Sequence, residues 1–404
     1  MKSIRLTAAA LAASLLVVAC GGGGDEGPRV PGPSGAPTTL GDFKSVVSFG
    51  DSLSDVGTYT PATQIPGTGT SPANPALYVG GRFTTNGSAS KIWVELVAGS
   101  LGLGITPAEV GFNKMSVPCP ASALGAAAAA TCTGYAQGGA RVTNPAGNGQ
   151  LADGNGALTV PVAKQVANHL SRKGGSFTAN DLVFVLGGNN DIAIAFGTFA
   201  AKAGALAAQA AAGQITASQA QELTLAAQIE GDAAAKQAGE ELAALIRTQI
   251  VGKGAKYVVV VNAIDFTTTP FARSLPSDAA RAVLGGFGTS FNAALKPGLD
   301  RQPVALIDFN PQIKAIIASP STYGFENVIV PTCDAGKISA ITGGLVTDGT
   351  ALFCNADALP WNGMRTGSSP TTWFFADGIH PSAGAHAFVA NFVTAELKRL
   401  GWKN

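Results

Sequence analysis

Three short segments of the chain carry residues whose types suit nucleophilic chemistry. Ser52 follows the apolar run Val46–Phe49, Asn190 follows a second apolar run, and Asp377 precedes His380 by three residues. A serine hydroxyl becomes a good nucleophile when a base takes its proton, and a histidine oriented by a carboxylate is such a base. An asparagine amide can stabilise the negative charge that develops on a carbonyl oxygen. Together these residue types predict acyl-transfer chemistry.

Each of these residues also has a structural interpretation, which the local sequence leaves open. Ser52 suits the N-cap of the next helix, and Asn190 suits a turn, since Asn-Asp pairs are common turn formers. His380 is also compatible with a hydrogen-bonded surface histidine. We interpret Asp191 as structural, bonded within its own loop.

Four further residues with chemically capable side chains are assigned to structure. His169 and His386 have no carboxylate placed beside them as His380 has, so we expect them to be structural. Trp93 lies among apolar residues and is expected in the core. Arg82 either holds a loop or meets a carboxylate, and the sequence does not choose between these roles.

The elements that must position the chemistry are short β-branched strands separated by long helical segments. Continuous apolar runs of this kind are typical of parallel sheets covered on both faces, and they predict an α/β layered fold. Ligands and chemistry collect at the carboxyl edge of such sheets, so Ser52 and Asn190 are expected to meet there. The predicted strands are Ser45–Phe49, Asp181–Leu186, Lys256–Asn262 and Val304–Asp308.

Two helical regions are clear from their caps. The C-terminal helix has Ser382 as its candidate N-cap and Gly401 as its stop. An alanine-rich helical insertion, about residues 193–250, contains a possible capping box at Thr216 and Gln219, and Gly252 is its expected stop. A helical hairpin and a single elongated crossover remain equally open for this insertion, because periodicity does not place a helix in space.

Composition excludes a nucleic-acid partner. The 404 residues carry 26 basic and 25 acidic side chains, a net charge of +1, and no Lys/Arg run exceeds two residues. A nucleic-acid binder carries a clustered basic footprint, which is absent here. Linker-like composition occurs near the N-terminus alone, so we expect one domain spanning residues 43–404.

The N-terminus has the features of a targeting signal. A basic segment with Lys2 and Arg5 precedes a short apolar stretch that ends in Val-Val-Ala-Cys20, which resembles the lipobox of bacterial lipoproteins. This predicts a signal peptide over residues 1–20, lipidation of Cys20 and a flexible tether over residues 21–42. An ordinary signal cleaved near Ala19 is the alternative. We expect an exported protein anchored by lipid at the outer membrane or cell surface, or otherwise secreted or periplasmic.

The remaining four cysteines suit an exported chain. Four cysteines allow two disulfides in three connectivities. Sequential pairing closes the shortest loops and is our choice, and a zinc site is disfavoured because no CxxC spacing occurs. The expected disulfides are Cys119–Cys132 and Cys333–Cys354.

These segments together resemble the GDSL, or SGNH, hydrolase family of lipases and esterases, in its longer secreted bacterial and plant-type branch. The resemblance covers nearly the whole chain after the tether, with the blocks in the family's order. The blocks are FGDSLSD at Phe49–Asp55, GGRFTTNGSASKIWVELVAGSLGL at Gly80–Leu103, GYAQGGARV at Gly134–Val142, GGNND at Gly187–Asp191 and DGIH at Asp377–His380. Two positions depart from the family pattern, where Thr58 and Gly134 replace the usual asparagines.

The resemblance implies a flavodoxin-like three-layer α/β/α sandwich with a central parallel sheet. It implies that Ser52 is the nucleophile, His380 the base and Asp377 its orienting partner. The backbone N–H groups of Ser52 and Gly139 and the side chain of Asn190 are then the oxyanion donors. No G-x-S-x-G elbow is present, so the α/β-hydrolase pattern is not supported.

The function expected from this resemblance is a serine esterase or lipase-like hydrolase that cleaves carboxylic esters through an acyl-enzyme on Ser52. Such hydrolysis requires no metal or organic cofactor, and the expected partners are an ester substrate and, through Cys20, a membrane. A carbohydrate O-acetylesterase or an acyltransferase uses the same groups and is the near alternative. A surface lipoprotein without catalysis is the alternative of another class.

Overall fold

The computed structural model describes residues 36–63, 80–87, 89–357 and 362–404. The chain divides into two units, residues 1–30 and 31–404, and all the described residues belong to the second. The predicted signal peptide, Cys20 and most of the tether lie outside the described residues.

The central sheet is parallel, as the β-branched runs predict. Its strand order is β1-β4-β5-β6, and β2 and β3 form a separate antiparallel hairpin. All four predicted strands are present, with ends that differ by at most one residue. The strands are β1 Ser45–Gly50, β2 Glu109–Phe112, β3 Met115–Pro118, β4 Asp181–Leu186, β5 Tyr257–Val261 and β6 Val304–Ile307.

Residues 133–137 extend the sheet on the far side of β1 without forming a regular strand. The Ser48 N–H donates to the Thr133 carbonyl at 3.1 Å, and the Tyr135 N–H donates to the Ser48 carbonyl at 2.8 Å. The chain therefore leaves β1 first toward this segment and later returns to β4 on the other side. A crevice forms at the carboxyl end of a strand where the connections diverge in this way, and Ser52 lies just beyond that end of β1.

Helices cover both faces of the sheet and complete a three-layer α/β/α sandwich. Alternate strand residues face opposite layers: Val47 and Phe49 pack toward α3, α4, α5 and α7, while Val46 packs toward α1 and α10. The helices are α1 Trp93–Ser100, α2 Ala126–Ala129, α3 Val162–Arg172, α4 Asn189–Ala211, α5 Ala217–Leu245, α6 Pro270–Ser274, α7 Asp278–Leu299, α8 Asn310–Ala318, α9 Ala335–Ile341 and α10 Ala383–Arg399.

The alanine-rich segment is a pair of helices rather than one elongated crossover. The turn between α4 and α5 ends in the predicted capping box: the Gln219 N–H donates to the Thr216 hydroxyl at 3.1 Å, and the Thr216 N–H donates to the Gln219 side chain at 2.8 Å. The predicted stop at Gly252 is wrong. Beyond α5 the chain forms a π-helical and then a 3₁₀ turn, and it leaves the helical path at Gly254, whose φ of 96° is left-handed.

Helix α4 is, among the described helices, the one that is long and apolar enough to cross a membrane by length and composition. Its first turns carry Ile192, Phe196 and Phe199 into the core, where they pack with α5 and α7. We therefore interpret α4 as a helix of this domain whose first half packs in the core. The C-terminal α10 begins as predicted, with the Ser382 hydroxyl accepting the Ala385 N–H at 3.2 Å.

Both pairs of cysteines in the described domain are joined by disulfides in the sequential pairing. Cys119–Cys132 lies between the β2–β3 hairpin and residues 133–137, and Cys333–Cys354 joins two loops that precede the C-terminal helix.

Candidate active site

Ser52, His380 and Asp377 lie in one hydrogen-bonded row at the carboxyl end of β1. His380 Nε2 is 2.8 Å from Ser52 Oγ, and His380 Nδ1 is 2.7 Å and 2.9 Å from the two carboxylate oxygens of Asp377. Ser52 and Asp377 are 8% and 5% exposed. An imidazole held by a carboxylate on one nitrogen can accept the serine proton on the other.

The turn after β1 places the Ser52 hydroxyl. Gly50 has a φ of 149°, and a Cβ there would overlap the carbonyl oxygen of Leu186, so this position requires glycine. Asp51, and not Ser52, is the N-cap of the short 3₁₀ turn Ser52–Ser54, since its carboxylate accepts the Leu53 N–H at 3.2 Å. Ser52 therefore keeps its hydroxyl free for His380.

Asp377 is held by backbone donors as well as by His380. Its oxygens accept the N–H groups of Ala351, Ile379 and His380, each at 2.8 Å. Burial alone would raise the pKa of Asp377, but the charge of His380 and these donors lower it by more, so the net shift is downward. Burial likewise opposes the charged form of His380, but Asp377, together with Asp51 and Asp348, offsets it and raises the pKa of His380 above its ordinary value.

Three donors implied for an oxyanion lie around the end of β1. Gly139 has a left-handed φ of 79°, and a Cβ there would overlap the Asn148 carbonyl oxygen. Within the described part of the chain, the backbone N–H groups of Ser52 and Gly139 have no acceptor. Asn190 donates one amide hydrogen to the Ala140 carbonyl at 3.0 Å.

Asn190 belongs to the first turn of α4 rather than to a free turn. The residue before that helix, Gly188, has a φ of 102°, and the Gly188 backbone lies against the ring of Phe291. The N-terminus of a long helix carries partial positive charge, so negative charge on a bound carbonyl oxygen is favoured there. This end of the sheet can therefore stabilise an oxyanion.

Asp51 and Asn189 form a second buried polar contact, which sequence reasoning missed. The Asn189 amide donates to Asp51 Oδ2 at 2.9 Å, and its oxygen accepts the Ile264 N–H at 3.1 Å. Burial raises the pKa of Asp51 to about 6, against the opposing effect of the Asn189 and Leu53 hydrogen bonds. The adjacency of these residues to Ser52 and Asn190 was the signal available in the sequence.

The prediction that Asp191 bonds within its own loop is wrong. Its carboxylate accepts Arg141 Nε at 2.8 Å and the Val142 N–H at 2.9 Å. Because Arg141 and Val142 follow the Gly138–Gly139 pair, Asp191 attaches this glycine-containing loop to the start of α4.

The two remaining histidines are buried and lie outside the hydrogen-bonded row. His169 stacks on Phe177 with ring centroids 4.5 Å apart, and burial lowers its pKa to about 4. His386 accepts the Trp93 N–H on Nδ1 at 3.4 Å, and burial, aided by repulsion from His380, lowers its pKa to about 3. Both therefore stay neutral at physiological pH.

Trp93 and Arg82 make structural hydrogen bonds near the site. Trp93 is 1% exposed, as expected of a core residue, and its indole N–H donates to the Leu53 carbonyl at 3.0 Å. Arg82 meets a carboxylate, making two hydrogen bonds of 2.7 Å with Glu95. The next residue, Phe83, was not singled out from the sequence, yet its ring centroid lies 5.0 Å from that of His380.

The two departures from the family pattern are accommodated locally. The Thr58 hydroxyl donates to the Ala136 carbonyl at 3.3 Å. A Cβ at Gly134 would overlap the Val56 side chain, so a larger residue does not fit there.

In the described part of the chain, no cluster of three or more His, Cys, Asp or Glu side chains is arranged to hold a metal ion.

The comparison with protein families agrees with this geometry. The family model described as GDSL-like Lipase/Acylhydrolase matches residues 46–393, which is most of the chain. The protein belongs to this family and has its three-layer α/β/α fold. It is therefore a hydrolase that acts on ester or acyl groups. No curated protein matches the chain.

Proposed function

We propose that the protein is a serine esterase that cleaves carboxylic esters through an acyl-enzyme on Ser52. The observation that carries the proposal is the row from Ser52 Oγ through the His380 ring to Asp377, with contacts of 2.8 Å and 2.7 Å. A surface protein without catalysis has no need for this buried arrangement.

In the proposed reaction, Ser52 Oγ attacks the ester carbonyl carbon while His380 Nε2 takes its proton. The carbonyl oxygen becomes an oxyanion, which accepts hydrogen bonds from the N–H groups of Ser52 and Gly139 and from the Asn190 amide. The C–O bond to the alcohol then breaks, and His380 returns its proton to the leaving alcohol. Water, deprotonated by His380, attacks the acyl-enzyme in the same way and releases the acid.

The direct test replaces the nucleophile. Ser52→Ala is expected to lower kcat for p-nitrophenyl esters by at least about 10⁴-fold, because losing the nucleophile of a triad removes most of its catalysis. Ser54→Ala is the matched control: its buried hydroxyl lies in the same turn and has no hydrogen-bond partner in the described part of the chain. Wild-type turnover retained by Ser52→Ala, or failure of a fluorophosphonate to label Ser52, contradicts the proposal.

The acyl group and the acceptor are a separate question within this function. Rates over a series of acyl-chain lengths, together with release from acetylated glycans, distinguish a lipase-like esterase from a carbohydrate O-acetylesterase. Adding an alcohol acceptor and measuring the transferred ester tests acyltransfer.

We further propose that the protein is exported and anchored by lipid at Cys20. The sequence before Cys20 and the two disulfides of the domain support export, because disulfides persist in oxidising compartments. Cys20→Ser is expected to move the protein from the membrane fraction to the soluble fraction and to abolish labelling by a fatty-acid precursor. Unchanged membrane association and labelling would contradict the anchor.

A further inference from the structure

Gly138, next to the proposed oxyanion site, is held at both of its peptide groups by buried side chains. The Tyr59 hydroxyl donates to the Gly138 carbonyl oxygen at 2.7 Å, and Asp55 Oδ2 accepts the Gly138 N–H at 2.9 Å. Tyr59 and Asp55 are both 0% exposed. Both side chains therefore contact Gly138 directly in the protein interior.

The geometry of the peptide bond links the Gly138 carbonyl to Gly139. The Gly138 C=O and the Gly139 N–H belong to the same planar trans unit, so they point in opposite directions. A side chain that fixes the direction of the carbonyl thereby fixes the direction of the N–H. The Tyr59 hydroxyl also polarises the same unit, which strengthens the N–H as a donor.

The side chains of Asp55 and Tyr59 are themselves held by further hydrogen bonds. The second oxygen of Asp55 accepts the N–H groups of Gly57 and Thr58 at 2.9 Å and 2.7 Å. The Tyr59 hydroxyl accepts the Thr159 N–H at 3.2 Å. These bonds fix the conformation of residues 55–59, which follow the turn that carries Ser52 and contact the Gly138–Gly139 pair.

Two further hydrogen bonds restrain the ends of the glycine pair, from the Ala140 N–H to the Gln137 carbonyl at 3.1 Å and from the Asn148 N–H to the Gly139 carbonyl at 2.9 Å, but neither uses the C=O or the N–H of the Gly138–Gly139 peptide. Glycine has the widest choice of backbone conformations, so two in succession give the loop unusual freedom. Glycine is nevertheless required, because a Cβ at Gly138 would overlap the Phe83 ring and one at Gly139 would overlap the Asn148 carbonyl. The close packing therefore needs glycine, and the bond from Tyr59 acts directly on the peptide that joins the two glycines.

We propose that Tyr59 is a positioning residue for the oxyanion hole: its hydroxyl orients the Gly138–Gly139 peptide so that the Gly139 N–H faces the reacting carbonyl oxygen at Ser52. Asp55 supports it by holding the Gly138 N–H. This inference rests on the proposed esterase function, and it assigns roles to two residues that do not touch the reacting atoms.

Tyr59→Phe removes the hydroxyl and keeps the ring, which packs edge-on against Phe83 and Phe112. Because removing an oxyanion donor outright costs about 10²–10³-fold in kcat, loosening one is expected to cost roughly 10–100-fold, with KM changed less than about twofold. Asp55→Asn keeps the oxygen that serves Gly57 and Thr58 but places an NH₂ against the Gly138 N–H. We expect a similar fall in kcat and a double variant little worse than either single one.

A comparison of an ester with its thionoester separates positioning from a general structural defect. Sulfur accepts hydrogen bonds weakly, so the preference of the wild type for the ester measures the oxyanion donors. Tyr59→Phe and Asp55→Asn are expected to lower this preference by roughly the same factor as kcat for the ester. Tyr257→Phe is the matched control, since it removes a tyrosine hydroxyl that bonds Thr39 at 3.1 Å and lies at the start of β5, away from the Gly138–Gly139 peptide.

An unchanged kcat in Tyr59→Phe, or equal losses for ester and thionoester, overturns the inference. If Tyr59→Phe does not fold, as judged by circular dichroism, the preference of Asp55→Asn for the ester over the thionoester tests the inference in its place. Failure of the proposed function is a different result: the wild type itself then neither hydrolyses esters nor reacts with a fluorophosphonate.

Discussion

Two buried carboxylates near His380 have opposite pKa shifts, because their partners offset burial to different extents. Asp377 accepts three backbone N–H groups and the imidazole, and its pKa falls. Asp51 accepts one amide and one N–H, which do not offset its burial, and its pKa rises to about 6. The charge and the hydrogen bonds of His380 therefore distinguish Asp377, whose pKa is lowered, from Asp51, whose burial dominates.

At the residue scale, Asp377→Asn tests the orienting role. The substitution keeps the shape of the side chain but removes the charge that stabilises the imidazolium, so kcat is expected to fall on the order of 10³–10⁴-fold. The measurement is kcat for p-nitrophenyl esters, with the folding of the variant checked by circular dichroism. A loss below about tenfold would contradict the role of Asp377 in the proposed reaction.

The pH profile provides a second residue-scale prediction. His380 must be neutral to accept the Ser52 proton, so kcat/KM is expected to be high above the His380 pKa and to fall as the pH drops through it. Asp377, Asp51 and Asp348 all raise this pKa. Asp51→Asn is therefore expected to move the acid limb of kcat/KM to lower pH, because one attraction for the imidazolium is lost.

The control for this shift is Asp153→Asn, an exposed carboxylate that bonds within its own loop to Asn155. The acid limb of kcat/KM for this control variant should match that of the wild type. An acid limb of Asp51→Asn that stays in place or moves to higher pH contradicts the argument.

At the scale of elements, the helix pair α4–α5 is divided between a packed and an open region. On α5, Ala227, Gly231 and Ala235 are buried, and Gly231 faces the ring of Phe287 on α7. On α4, Gly204 has nothing within 4 Å of the position that a Cβ would occupy. The same glycine-to-alanine change therefore has opposite expected effects on the two helices.

Gly231→Ala is expected to lower the free energy of unfolding by about 1–3 kcal/mol, because the added methyl overpacks the contact with Phe287. Gly204→Ala is expected to raise it by about 0.5–1 kcal/mol, because alanine loses less backbone entropy in a helix. Urea unfolding of both variants measures the two effects. Changes of the same sign in the two free energies of unfolding would contradict the difference between the packed region of α5 and the open region of α4.

At the scale of the whole molecule, the two disulfides are placed differently with respect to the site. Cys333 donates its N–H to the Ala376 carbonyl at 2.8 Å, next to Asp377, and Ala351, which precedes Cys354 by three residues, donates to the Asp377 carboxylate. The Cys333–Cys354 bond thus joins two loops that both contact the segment carrying Asp377. Cys119–Cys132 makes no such contact among the described residues.

Replacing either pair by serines is expected to lower the free energy of unfolding by about 3 kcal/mol, since the closed loops span 13 and 21 residues. Loss of Cys333–Cys354 is also expected to lower kcat by about tenfold, because Asp377 loses part of its support. Loss of Cys119–Cys132 serves as the matched control and should leave kcat near the wild-type value at temperatures where both variants are folded. Equal kcat values for the two variants would contradict this assignment.

The sequence by itself determined the layered fold, the strand positions and the residues of the hydrogen-bonded row. Buried parallel strands carry unbroken β-branched runs, caps such as Thr216 and Ser382 act over a few residues, and Ser52, Asn190, Asp377 and His380 stand in recognisable blocks. The tertiary structure alone decided that Asp191 meets Arg141, that Asp51 meets Asn189 and that Tyr59 holds Gly138. These contacts join residues some 50–140 positions apart. They depend on how separate loops converge at one sheet edge, and no local pattern of side chains records that convergence.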